Sequence, residues 1–167
     1  MADLEDPINS EKLYNIMPNW TWQELAFALN KEILYQDDII LYAKKIISDD
    51  TENFDLVLEL IIDETIDKYE ILEILFKINS YEKYKQDEEE IESKWIFACV
   101  YYSYIYDIKN IYPIIEEIWV VFDYTPELEY MIGWKPVKEG EPNFETLPFE
   151  SRLETYILNG KNKYKLS

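Results

Sequence analysis

Residues 86–108 read QDEEEIESKWIFACVYYSYIYDI, and the reading of this run decides the fold class. Its front is acidic, and acids favour the positive partial charge at the start of a helix. From Trp95 to Tyr106 twelve residues carry no charge and are apolar almost all round. As a helix, such a run is buried on most sides. The competing reading is a buried strand, because Val, Ile and Tyr favour strands. Length and the helix formers upstream favour a helix, opened by the acidic block Gln86–Glu92 and continuing over Ile91 to Ile108. Trp95, Phe97, Cys99 and Tyr102 are then expected in the core, with Ile115, Ile118 and Trp119 from the helix that follows.

Outward from this run, the punctuation is that of helices. Thr21-Trp22-Gln23-Glu24 fits a capping box, with Thr hydroxyl and Glu carboxylate each satisfying an N–H of the first turn. It opens a helix over roughly 22–31, and Trp20 stands where a hydrophobic staple belongs. Asp37 is placed to cap a second helix, with Ile39, Ile40, Ala43, Ile46 and Ile47 at helical spacing. Phe54, Val57, Leu58, Ile61 and Ile62 mark a third. Asp63 or Thr65 is expected to cap a fourth, carrying Ile66, Tyr69, Leu72, Leu75 and Phe76. Pro113 suits the first turn of a helix that stops near Asp123-Tyr124. Thr125-Pro126 starts a short helix reaching about Ile132. Pro148 starts the last one, with Gly160 at its C′ position. Only three glycines occur, all late, and a single Asn-Gly pair, so hairpin signals are nearly missing. The predicted fold is all-α: an irregular bundle or a short stack of helical pairs, with seven to eight helices. It is expected as a single helical domain over 1–167, with a surface loop at 133–147 and a frayed basic tail at 161–167.

The 167 residues are enough for one domain with its own core, and 48% of them are hydrophobic. The formal net charge is −19, and residues 37–92 alone hold 18 acids against 6 bases. Such a chain repels polyanions, so neither nucleic acid nor an anionic membrane is an expected partner. Histidine is absent, which removes His-based catalysis and His-containing metal sites. The single Cys99 lies in an apolar run and reads as a structural thiol. The N-terminus shows no secretory pattern, and twelve uncharged residues are too few to span a bilayer. A soluble, cytoplasmic protein is expected.

Asp55, Glu59 and Asp63 recur every four residues, and Asp67 and Glu70 follow. One reading is a solvated outer face. The other is a docking surface for a basic partner, since like charges at this spacing repel and persist without relief. On the second reading, Tyr69, Tyr81 and Tyr84 join the five acids as partner-binding residues, because Tyr is enriched at interface centres. No metal or cofactor is expected. Asp49–Asn53 departs from a calcium loop, with Phe54 at the glycine position and Leu60 at the bidentate Glu position. Phosphate-binding, dinucleotide and hydrolase-elbow motifs are missing. Tyr101, Tyr102, Tyr104 and Tyr106 line either a core or a ligand groove.

Several short motifs carry a resemblance. They are Lys94-Trp95 before an aromatic helix, Ile114–Ile118, Phe122-Asp123-Tyr124, Tyr130 and Pro136. In the first half they are Trp22-Gln23-Glu24 and Ile40–Ala43. Together, over roughly residues 18–160, the chain resembles the bacterial domain-of-unknown-function family 2247. It departs from the family at Thr125, which separates Tyr124 from Pro126. The resemblance implies a small, acidic cytoplasmic protein, and for some members a place in toxin systems as immunity proteins; it brings no catalytic residues. The expected function is therefore non-enzymatic: an acidic, immunity-type module that neutralises a basic, nuclease-like toxin domain by occlusion. The alternatives are a small enzyme using paired carboxylates and a regulatory adaptor.

Overall fold

The structure is a computed structural model that describes residues 4–63, 65–132 and 148–167. These residues form nine α-helices and no strand: α1 (Ser10–Ile16), α2 (Trp22–Asn30), α3 (Gln36–Ile46), α4 (Phe54–Ile62), α5 (Lys68–Ser80), α6 (Glu88–Tyr106), α7 (Ile111–Val121), α8 (Pro126–Glu129) and α9 (Phe149–Lys163). A 3₁₀ turn, Ile108–Asn110, leads into α7. The decisive run is thus helical, as α6. The expected loop at 133–147 lies outside the described residues.

Most helix starts follow from side-chain caps. At α2 the Glu24 N–H donates to Thr21 Oγ1 (3.1 Å), and the Thr21 N–H donates to Glu24 Oε1 (2.9 Å), completing the capping box. α1 adds a helix that the periodicity does not show, because two turns hold too few apolar residues. Its cap is Asn9, whose Oδ1 accepts from the Lys12 N–H. Asp37 does not cap α3. The helix starts after Tyr35, and Asp38 reaches back to accept the Tyr35 N–H at 2.8 Å. The cap of α5 is Asp67, not Asp63 or Thr65, since Asp67 accepts from the Glu70 N–H at 2.9 Å. Asp63 instead closes a turn on Thr65. α7 carries Pro113 in its first turn and ends through Asp123 and Tyr124, both at positive φ. The Thr125 hydroxyl then caps α8, which stops at Glu129, short of the expected Ile132.

Backbone contacts among the described residues divide the chain into two compact units, Glu5–Trp95 and a second that takes in Leu4, 96–132 and 148–167. The division falls inside α6. In the first unit α2 packs on α3, α3 on α4, α4 on α5, and α5 back on α2, while α1 packs on α3. The circuit α2–α3–α4–α5 therefore closes on itself, as in a bundle. Its core includes Leu25, Ala28 and Leu29 of α2 and Ile71, Ile74, Leu75 and Ile78 of α5. In α5 the inward stripe is thus shifted from the expected one: Tyr69 and Phe76 are exposed.

The second unit buries Phe97, Ile115, Ile118, Leu128, Met131, Leu153 and Ile157. The Phe97 ring lies 5.4 Å from Tyr101, 5.8 Å from Tyr156 and 5.4 Å from Tyr164, centroid to centroid. Seven consecutive residues, Trp95 to Tyr101, are buried, so no face of α6 meets solvent there. Tyr102 and Trp119, expected in the core, are only half-buried. Each leans on a more exposed tyrosine: Tyr102 on Tyr106 at 5.0 Å and Trp119 on Tyr124 at 4.7 Å.

Gly160 is not a helix terminator. It sits inside α9, which runs on through Lys161 to Lys163, so the expected frayed tail begins as helix. Any Cβ at residue 160 would fall 1.9 Å from Phe97 Cε2. Glycine is there because α9 and the Phe97 ring approach too closely for a side chain.

Two stability outcomes follow from this packing. Trp95 is fully buried and stacked on Trp20 at 4.1 Å. Trp95→Ala is expected to cost roughly 3–5 kcal/mol in a denaturant titration, and a loss under about 1 kcal/mol would show that the indole is not a core element. Gly160→Ala is expected to destabilise by about 1–3 kcal/mol through overpacking. An exposed helix-interior Gly→Ala change would instead stabilise by about 0.5–1 kcal/mol. A raised melting temperature would disprove the close approach.

Candidate functional site

α4, α5 and the segment after α5 carry all eight residues expected to bind a partner, and all eight are exposed. Asp55 and Glu59 lie on α4, Asp63 follows it, Asp67 caps α5, and Tyr69 and Glu70 fall in the first turn of α5. Tyr81 and Tyr84 follow α5. The five acids divide into two kinds. Asp63, Asp67 and Glu70 hold local structure. Thr65 donates both its N–H and its hydroxyl to Asp63, which keeps that carboxyl below its ordinary value. Asp67 and Glu70 close the capping box of α5. Asp55 and Glu59 enter no hydrogen bond or ion pair among the described residues; Asp55 still faces the positive end of α4 from its first turn, whereas Glu59 carries charge alone.

The side chains of α5 sort onto two faces. Ile71, Ile74, Leu75 and Ile78 point into the core. Tyr69 and Phe76 are 79% and 74% exposed, with half-buried Leu72 between them at spacings of three and four. This second apolar stripe runs among exposed Glu70, Glu73 and Lys77, and Ile62 at the end of α4 is 70% exposed. Phe76 and Ile62 are absent from the expected partner-binding set. Both look like core residues in sequence: Phe76 because the two apolar sets of α5 interleave, and Ile62 because it continues the apolar spacing of α4.

A cleft of about 430 Å³ opens beside this segment. Trp20, Trp22 and Tyr84 line it with Thr21, Gln23, Glu82 and Gln86. Sequence reading does not find it, since it brings together segments about 60 residues apart. Side-chain amides fasten its walls. Gln23 Nε2 donates to the Tyr84 carbonyl at 3.0 Å, and the Gln86 N–H donates to Gln23 Oε1 at 3.0 Å. The Thr21 hydroxyl donates to Gln86 Oε1 at 2.5 Å.

Behind the cleft, Glu24 is 3% exposed. Its Oε1 accepts from Lys94 Nζ at 2.8 Å and its Oε2 from Gln86 Nε2 at 3.0 Å. Its carbonyl accepts from Trp95 Nε1 at 2.8 Å. Lys94 Nζ also donates to the Asn19 carbonyl and lies 4.4 Å from the centre of the Trp20 ring. Trp22-Gln23-Glu24 and Lys94-Trp95, two motifs of the family resemblance, therefore meet in one network.

Elsewhere the described residues offer little chemistry. No grouping of three or more Cys, Asp or Glu side chains that would hold a metal occurs among them. Burial, with the Glu117 charge added, pushes the Cys99 thiol up to about 12, far from a neutral-pH nucleophile. In the tyrosine run, Tyr101 is buried, Tyr102 and Tyr104 are half-buried, and Tyr106 is exposed. No described helix is long and apolar enough to cross a membrane.

Removing the Glu24 charge tests the network. Glu24→Gln leaves the Lys94 ammonium, whose side chain is 14% exposed, without its carboxylate. The expected loss is roughly 3 kcal/mol, as for a broken buried pair. A loss under about 1 kcal/mol, read from the denaturant midpoint, would give the pair no more weight than a surface ion pair.

No curated protein and no solved structure matches the chain. A family model described as "Uncharacterized protein conserved in bacteria (DUF2247)" matches residues 11–161. That span contains both motifs of the Glu24–Lys94 network and every residue of the α4–α5 surface, and the chain belongs to this bacterial family.

Proposed function

We propose that the protein is an acidic protein-binding module of the immunity type, acting in the cytoplasm, which neutralises a basic, nuclease-like toxin domain by covering its active site. The observation that carries this reading is the outward stripe Tyr69–Leu72–Phe76 on α5, set in the most acidic third of the chain. Aromatic side chains left in water are unfavourable for an isolated domain and are typical of interface centres. Acids around them steer a cationic partner into encounter and reject anionic ones. A nuclease site is cationic because it holds phosphates, so such a surface is complementary to it in charge. The rival, a paired-carboxylate enzyme, needs two carboxylates facing one substrate. The cleft at Trp20 and Tyr84 is lined by one, Glu82.

The test starts with capture of a basic protein from the source cell at low salt and its release at high salt. The captured protein is then purified and titrated against three forms of the chain. Tyr69→Ala/Phe76→Ala is expected to leave stability within about 0.5 kcal/mol, as exposed positions do. It is expected to weaken binding by about 2 kcal/mol or more, roughly thirtyfold. Asp55→Lys/Glu59→Lys is expected to slow association and flatten its salt dependence. Asp55 lies in the first turn of α4, so its reversal also costs about 0.3–1 kcal/mol of helix stability. Equal affinity and equal salt slope in all three forms would overturn the assignment of this surface.

A further inference from the structure

We infer that the cleft between the start of α2 and the segment after α5 is a receptor for an arginine side chain presented by the partner. The inference rests on the reading of the chain as a binder of a basic protein, and it names the group recognised.

The polar groups that line the cleft are mostly committed to one another. The Thr21 hydroxyl donates to Gln86, the Gln23 amide to the Tyr84 carbonyl, and the Gln86 amide to Glu24. The exception among the lining amides and carboxylates is Glu82, half-buried, whose N–H donates to the Asn79 carbonyl but whose carboxylate enters no hydrogen bond or ion pair among the described residues. An acceptor with charge and without a partner asks for a cationic donor. The second available group is the Tyr84 ring, 67% exposed on the same cleft, which offers a π-face to a cation. The Trp20 ring is not free for this: Trp95 stacks on it and Lys94 lies over it. Trp20 and Trp22 are 7% and 9% exposed, so they supply apolar wall for an aliphatic stem.

Charge and shape both favour a guanidinium. Lys94, the nearest cation of the network, is neutralised by Glu24 at 2.8 Å. Residues 82–90 hold five acids against Lys83 and Lys85, and Lys85 Nζ donates to the Asn79 carbonyl at 3.4 Å. A planar guanidinium stacks on tyrosine while presenting two N–H groups to one carboxylate, which an ammonium cannot do. The volume of about 430 Å³ lies within the ordinary range of small-ligand sites.

The probe is N-acetyl-arginine amide, titrated into the protein while the tryptophan indole N–H resonances are followed. Saturable shifts are expected at Trp20 and Trp22 and not at Trp119. Glu82→Gln and Tyr84→Ala change only side chains outside the core, and each is expected to weaken binding about fivefold. The neutral citrulline analogue is expected to give no saturable shift, and N-acetyl-lysine amide a weaker one. Citrulline or lysine binding as well as arginine, or unchanged binding in both variants, would overturn the inference. Its failure is separable from that of the proposed function, because this titration needs no partner. A cleft that ignores arginine, beside a partner that still requires Tyr69 and Phe76, sinks the inference alone. A cleft that takes arginine, with no basic protein captured, sinks the proposed function and leaves standing only that the cleft recognises an arginine side chain.

Discussion

The buried carboxylate of Glu24 is the constraint on which the first unit turns. A charge 3% exposed is unfavourable unless every side of it is answered. Here the Thr21 N–H, the Gln86 amide and the Lys94 ammonium answer it. The three donors stand in different parts of the chain. Thr21 ends a loop, Gln86 pins the segment after α5, and Lys94 projects from α6. Withdrawing the carboxylate would therefore loosen three chain segments at once. The same network sets the Trp20–Trp95 stack, because Trp95 Nε1 is held by the Glu24 carbonyl and Lys94 lies over the Trp20 ring.

The cleft is a by-product of this arrangement. Gln23 and Gln86 lash the segment after α5 to the start of α2. That lashing keeps Tyr84 and Glu82 beside the tryptophans, although neither is packed into the core. A cleft built this way borrows rigidity from the fold and leaves the Tyr84 ring and the Glu82 carboxylate free of structural duty. The α4–α5 surface is mixed in this respect. Asp67 and Glu70 serve both the helix start and the surface charge, whereas Glu59 serves the charge alone.

Helicity, the Thr21–Glu24 box and the burial of Trp95 were legible because each is written within a few residues or one helical period. The Glu24–Lys94 pair was not, since its partners stand 70 residues apart and each reads locally as a solvent-exposed charge. The inward face of α5 was misjudged because Tyr69, Leu72 and Phe76 interleave with Ile71, Ile74, Leu75 and Ile78 at the same spacing. The positions of α2 and α4, both packed on α5, decide between the two sets. Gly160 misled for a related reason. Asn159-Gly160 near a chain end has the local form of a helix stop, but the glycine answers to a ring more than 60 residues away.

The two faces of α5 also separate what selection acts upon. Exchanges at Ile71, Ile74, Leu75 or Ile78 alter the circuit of helices and are purged through lost stability. Exchanges at the exposed Tyr69 or Phe76 leave that circuit untouched. On this helix the outer stripe is free to drift with whatever it meets while the inner stripe stands still. Divergence between lineages should then concentrate at Tyr69 and Phe76 more than at the four positions behind them.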